Sequence, residues 1–245
     1  VHYIGGYRRG HVSADYFGLF GEHLTKLFGA DDQHPPFIGI MANGTSGDVN
    51  AHDFTAPRPK HAPWGRMDEV AAALAKDVHR LYPQIEHRAD LTLAMVETEL
   101  ELAVRKPDAA RLAWAKKTVV AKPKPGQRLS RPQVYAREAL ALAEYPDRIK
   151  IILQAIRIGD LGIAAIPCET FAETGLAIKK GSPFDSTFTI SLANGADGYL
   201  PTPQQHEWGG YETWPARSSL LEVQAEPKIR AAALELLKKV AAPKK

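Results

Sequence analysis

Two apolar runs separated by a glycine–aspartate pair constrain this chain more than any other feature. IKIILQAIRI (149–158) and LGIAAI (161–166) flank Gly159 and Asp160, and both are rich in β-branched residues. A two-residue link containing glycine, set between strand-like runs, is a hairpin signal. Tight turns that need positive φ match the twist of the strands they join. Part of the sheet must therefore be antiparallel.

Around this hairpin the hydrophobic period switches between helical and extended spacing. Helices are predicted over 13–28, 67–82, 107–120, 132–144, 170–180 and 227–240, and strands over 91–104 and 186–192. Ser13 is the expected N-cap of the first helix, with Asp15 in its first turn and Gly29 closing it. Residues 1–6 read as a strand end followed by a glycine turn, and PFIGIMA (36–42) reads as a short strand. NGTSGD (43–48) is a turn-and-loop signal, and 51–65 reads as a surface loop. The order implies an α/β fold of mixed α+β character: a layered domain with mixed parallel and antiparallel sheets flanked by helices. One domain is expected over 1–240, with a disordered tail at 241–245.

Composition excludes several classes. With 44% hydrophobic and 24% charged residues in 245, the chain is ordinary globular protein. A single cysteine, Cys168, excludes an internal disulfide framework and Cys-based zinc fingers. No apolar run reaches the length of a membrane span. A net charge of +3 is too weak a bias for nucleic-acid binding. Residues 105–131 stand apart, with nine Lys or Arg against one acid, Asp108. That run reads either as a surface for anionic lipid or polyanion, or as a solvated helical hairpin. The chain opens at Val1 without a leader pattern, so it reads as a fragment or processed product of something longer.

Local motifs carry little chemistry. Nine histidines form no HExxH or HxH, and neither a phosphate-binding loop nor a GxSxG elbow is present. A metal site has to be assembled from distant segments.

Three segments narrow this, taken in order: VHYIGG with HVSADYFG; the loop NGTSGDVN; and the late pair AIPCETFAETGL and ANGADGYLPTPQQHEWGGYETW. Together they resemble the catalytic domain of the neutral/alkaline (non-lysosomal) ceramidase family, and more closely its shorter ceramidase-like relatives in bacteria. The resemblance covers residue 1 to about 240. It implies a zinc-dependent amidohydrolase that cuts the N-acyl bond of a ceramide-like substrate by metal-activated water. It also implies Zn2+ as cofactor, a small-molecule or lipid amide as substrate, and a secreted or periplasmic location.

The same resemblance assigns residues. His2, Glu169 (after Ile166-Pro167-Cys168) and Tyr199 (in Gly198-Tyr199-Leu200-Pro201) fall at zinc-ligand positions. Tyr211, in Gly210-Tyr211-Glu212, falls where the family contacts the reacting amide oxygen. These residue types suit that chemistry, because zinc takes imidazole and carboxylate donors, and a phenol can donate to a developing oxyanion. One departure stands out. The family loop reads Gly-Asp-x-Ser-Pro-Asn, and here Asn50 occupies the serine's position. An amide can hydrogen-bond a water or an oxyanion, but it is not a nucleophile. Ser46 and His52 lie nearby as a substitute hydroxyl and a general base. The alternative is a non-catalytic relative that keeps the fold and binds a lipid, glycan or protein partner.

Overall fold

The structure, a computed structural model, describes residues 3–6, 10–57, 59–120, 124 and 126–242. Its helices are α1 (Asp15–Leu27), α2 (Gly65–Leu81), α3 (Ala109–Thr118), α4 (Arg131–Ala143), α5 (Ala172–Gly181), α6 (Pro203–Trp208) and α7 (Ala225–Ala241). Its strands are β1 (Leu93–Ala103), β2 (Arg148–Ile158), β3 (Leu161–Ile166), β4 (Glu169–Thr170), β5 (Ser186–Ser191) and β6 (Tyr199–Leu200). Contacts divide the chain into two units, Val1–Asn43 with Asn50–Leu91, and Gly44–Val49 with Thr92–Lys245.

The first unit is built on α1 and α2. Tyr16, Phe20 and Leu24 recur every fourth residue and meet Met67, Ala71 and Ala75, spaced the same way. The two alanines let the helices approach closely, and His23 Nε2 lies 2.8 Å from Asp68 Oδ1 across the seam. The helix start differs from the expected cap. Ala14, not Ser13, precedes the first turn, while Ser13 Oγ accepts from the Asp15 N–H at 2.9 Å. The buried Asp15 carboxylate then accepts from the N–H groups of Ile4 (2.9 Å), Gly5 (2.8 Å) and Tyr16 (2.8 Å). Residues 3–6 are therefore not a strand end; they are hooked onto a carboxylate.

The expected strand at 36–42 is also absent. The run is extended and keeps its alternation: Phe37 and Met41 turn to the helical core, and Ile38 and Ile40 are 74% and 81% exposed. No strand pairs with it among the described residues. It lies on α1 instead, with Gly39 so close to Gly21 that a Cβ on it would sit 2.9 Å from the Gly21 Cα. Alternation marks a half-buried extended chain, but a strand also needs a partner backbone.

The second unit is built on a four-stranded sheet in the order β1-β2-β3-β5. The first two pairings are antiparallel and β3 with β5 is parallel, the mixed sheet expected from sequence. The Gly159 turn has φ 59° and closes the hairpin read at 149–166. One face packs under α7 through Leu102, Ile151, Leu153, Ile166, Ile229 and Leu237, all fully or almost fully buried. Each such side chain contributes about 1.5–3 kcal/mol. The opposite face is polar along β1, where Glu99 accepts from Lys150 at 2.8 Å and Glu97 from Gln154 at 3.0 Å.

α3 and α4 form a helical hairpin around Ala115, Ala136 and Ala139. Asp108 Oδ1 caps α3 by accepting from the Arg111 N–H at 2.7 Å, and Ser130 with Gln133 forms a capping box on α4. The basic run does not all face water. Lys106 Nζ donates to the Ala143 (2.9 Å) and Tyr145 carbonyls at the end of α4, and Arg105 points inward. Among the described residues no helix is long and apolar enough to cross a membrane.

Candidate functional site

The candidate site grows from the end of β3. The chain leaves Ile166, passes the buried Cys168, and pairs β4 with β6 in parallel, Glu169 opposite Tyr199 and Thr170 opposite Leu200. The Glu169 N–H donates to the Gly198 carbonyl at 2.8 Å, and the Tyr199 N–H to the Ser218 carbonyl at 2.8 Å. Residues directly paired across strands project to one face. Backbone register alone thus puts a carboxylate beside a phenol.

Glycines make this register reachable. Gly198 has φ +79°, and a Cβ on it would sit 2.6 Å from the Ser218 carbonyl oxygen. A Cβ on Gly47 would lie 2.3 Å from the Glu169 carbonyl oxygen. Its absence lets the loop Gly44–Val49 lie against β4, with the Gly47 N–H donating to the Thr170 carbonyl at 2.9 Å. Asp48 Oδ1 accepts from the Ala172 N–H at 2.9 Å, where a carboxylate suits the positive end of α5. The NGTSGD turn read from sequence is therefore a clamp on the strand that carries Glu169.

Register sets Tyr199 beside Glu169. The Tyr199 and Tyr211 rings stand edge to face, centroids 5.7 Å apart and planes at 87°. Burial first, then the neighbouring Tyr211 and Glu169, push the Tyr199 pKa well above the phenol range. Tyr211 is raised too, first by burial. Both phenols keep their protons at neutral pH. Tyr211 is 49% exposed, so it is the member of this trio that reaches solvent.

The corner is poor in solvent and acidic. Burial raises the pKa of Asp197, and burial followed by the charges of Asp197 and Glu169 raises that of Cys168. A thiol so placed is no nucleophile. The same local field favours a bound cation.

Tyr211 is held from behind. It begins a short 3-10 turn, Tyr211–Thr213, entered through Gly209 and Gly210 at φ 82° and 114°. Arg105 donates from Nη1 to the Thr213 carbonyl (2.8 Å) and from Nη2 to the Ser219 carbonyl (2.5 Å) and hydroxyl (2.7 Å). Burial pushes the Arg105 pKa down to about 10. Burial, then the charge of Arg105, pushes that of His206 on α6 down to about 4, so this imidazole is neutral at pH 7. Sequence reading misses both residues. Arg105 counts there only as one cation of the basic run, and His206 sits without a motif of its own inside PTPQQHEWGG.

Of the residues assigned by resemblance, Glu169, Tyr199 and Tyr211 come together. Ser46 is buried in the clamp loop. Asn50 and His52 belong to the first unit, Asn50 exposed and His52 at the exposed foot of the 51–65 loop. His2 lies outside the described residues. The Glu169 carboxylate, whose Oε2 is buried, is a donor type that suits Zn2+, and the Tyr199 oxygen, beside it in register, is a ligand by resemblance alone. Together they would fill two positions of a tetrahedral set. No group of three or more His, Cys, Asp or Glu able to hold a metal occurs among the described residues.

No protein-family model matches the sequence, and no curated protein matches it. Solved structures do. The chain is similar to neutral ceramidase from Pseudomonas aeruginosa at 15% identity and a TM-score of 0.59, over 96% of this chain and 42% of that one. It is similar to a ceramidase complexed with C2 at 13% identity and the same TM-score of 0.59, over 96% of this chain and 43% of that one. The chain thus spans less than half the length of the structures it matches. At such identities the likeness is one of architecture: this chain has the fold of part of a neutral ceramidase.

Proposed function

We propose that this chain carries the site of a ceramidase-like, zinc-dependent hydrolase that cuts the N-acyl amide bond of a lipid-like substrate. One observation carries the reading: Glu169, Tyr199 and Tyr211 meet in a desolvated, acidic corner, within the fold of a neutral ceramidase. Glu169 and Tyr199 would hold Zn2+, with His2 as the third ligand by resemblance. Zinc, when bound, polarises a carbonyl and lowers the pKa of water.

The chain's own residues do the rest. Tyr211, kept protonated by burial, donates its O–H to the amide oxygen as charge develops there. Asn50 is assigned by resemblance alone, as a hydrogen-bonding amide in the family serine's position, and since an amide is no nucleophile the attacking group is water. The β4–β6 register and the Gly47 clamp hold the Glu169–Tyr199 pair still, which lowers the reorganisation needed during reaction. The cations of 105–131 other than Arg105 and Lys106 would meet an anionic membrane surface, and a secreted or periplasmic location fits such a substrate.

The second reading, a non-catalytic relative that binds a lipid, glycan or protein partner, is favoured by Asn50 in the serine's position. Zinc content and hydrolysis of a short-chain fluorescent ceramide by the purified chain separate the two. The hydrolase reading expects about one zinc per chain and turnover, with both lost in Glu169→Ala. Zinc equally present in Glu169→Ala removes that residue from the ligand set, and folded, zinc-loaded protein without turnover favours the binding relative.

A further inference from the structure

A cavity of about 620 Å³ opens between α3, α4 and Trp214. Leu142 forms its buried floor and Trp114, Tyr135 and Trp214 its walls, with Arg111 and Arg131 at the rim. The Arg111 guanidinium lies 3.9 Å from the Trp114 ring centroid, and that of Arg131 lies 5.7 Å from the Trp214 centroid. Tyr135 braces Trp214 edge to face at 5.1 Å.

We propose that this cavity binds one single-chain anionic amphiphile, an alkyl or acyl chain ending in a carboxylate or a phosphate. The argument does not rest on the hydrolase reading. Two always-charged guanidinia share one apolar mouth, and among the described residues neither is engaged in an ion pair or side-chain hydrogen bond. Their neighbours are engaged: Lys106 holds the end of α4, and Asp108 caps α3. Arg111, at 3.9 Å, packs against the Trp114 ring, and Arg131, at 5.7 Å, lies within cation–π range of Trp214, so aromatic contact holds both while their N–H groups remain able to receive a carboxylate or phosphate. The aromatic walls and the aliphatic floor then take a chain. The volume suits one small amphiphile, not a bilayer.

Calorimetry on the purified chain tests this with decanoate, decyl phosphate, decyl glucoside and inorganic phosphate, each monomeric. Expected are one-to-one binding of a decyl anion, at least about tenfold weaker binding of decyl glucoside, whose chain is the same length, and none of inorganic phosphate. The tighter of the two decyl anions tells whether the ligand is a free acid or a phosphate ester. Arg111→Gln with Arg131→Gln should weaken binding by at least about tenfold. Decyl glucoside binding as tightly as the anions overturns the proposal. So does binding only to anionic vesicles, which would mean attraction to a basic surface. The ligand series on the unaltered chain decides even if the double variant does not fold.

Discussion

The Glu169–Tyr199–Tyr211 corner and the Arg111–Arg131 cavity both gather polar groups in the second unit, by opposite means. In the corner, position comes from main-chain pairing: Glu169 faces Tyr199 because β4 and β6 are in register. In the cavity, position comes from side-chain contacts, Arg111 against the Trp114 ring and Arg131 within cation–π range of Trp214. A register leaves no freedom, whereas a stacked guanidinium can slide or turn. The corner therefore suits chemistry that demands fixed distances, and the cavity suits a ligand of variable shape.

Substitutions that disturb the backbone should show the difference most strongly. Gly198→Val puts a branched side chain at φ +79° against the Ser218 carbonyl, and should cost about 3 kcal/mol in urea unfolding. If it is tolerated, the corner is as adaptable as the cavity. Arg105→Gln leaves the carbonyls of Thr213 and Ser219 short of a donor and should cost about 2 kcal/mol. Arg131→Gln at the cavity rim should stay within about 0.5 kcal/mol. Equal costs at the two arginines would erase the distinction between them.

Tyr199→Phe keeps the ring and loses the hydroxyl beside Glu169 and Tyr211. It should cost about 1 kcal/mol while abolishing zinc retention under the proposed function. A further effect concerns acid. His206 binds its proton less tightly folded, pKa about 4, than the unfolded chain at 6.5. The unfolded state takes up more protons between those values, so this share of stability is whole above pH 6.5 and lost as pH falls towards 4. His206→Gln should flatten the stability profile in that window by about 0.5–1 kcal/mol, after discounting for solvent screening.

Much of the local structure was legible. The 149–166 hairpin and the six helices read from periodicity depend on residues a few positions apart, and they fall within two or three positions of where the pattern puts them, whereas the short helix Pro203–Trp208 carries no period long enough to read. The segment 36–42 shows the limit. Its alternation is that of a strand, but pairing needs a neighbour that the segment itself does not name. Glu169, Tyr199 and Tyr211 are reached through resemblance, since no spacing rule links them. Arg105 and His206 are not reached at all, because charge counting does not say which cation turns inward.

The sequence by itself determined the periodic elements, the turn at Gly159 and Asp160, and the absence of disulfides. Each follows from propensities and sterics that act over short stretches of chain. The tertiary structure alone decided that a two-residue parallel pairing sets a carboxylate beside a phenol, and that Gly47 clamps it. It alone decided that Arg105 turns inward while Arg111 and Arg131 frame a cavity. Those outcomes depend on which distant segments pair and on how much water each group loses when they do.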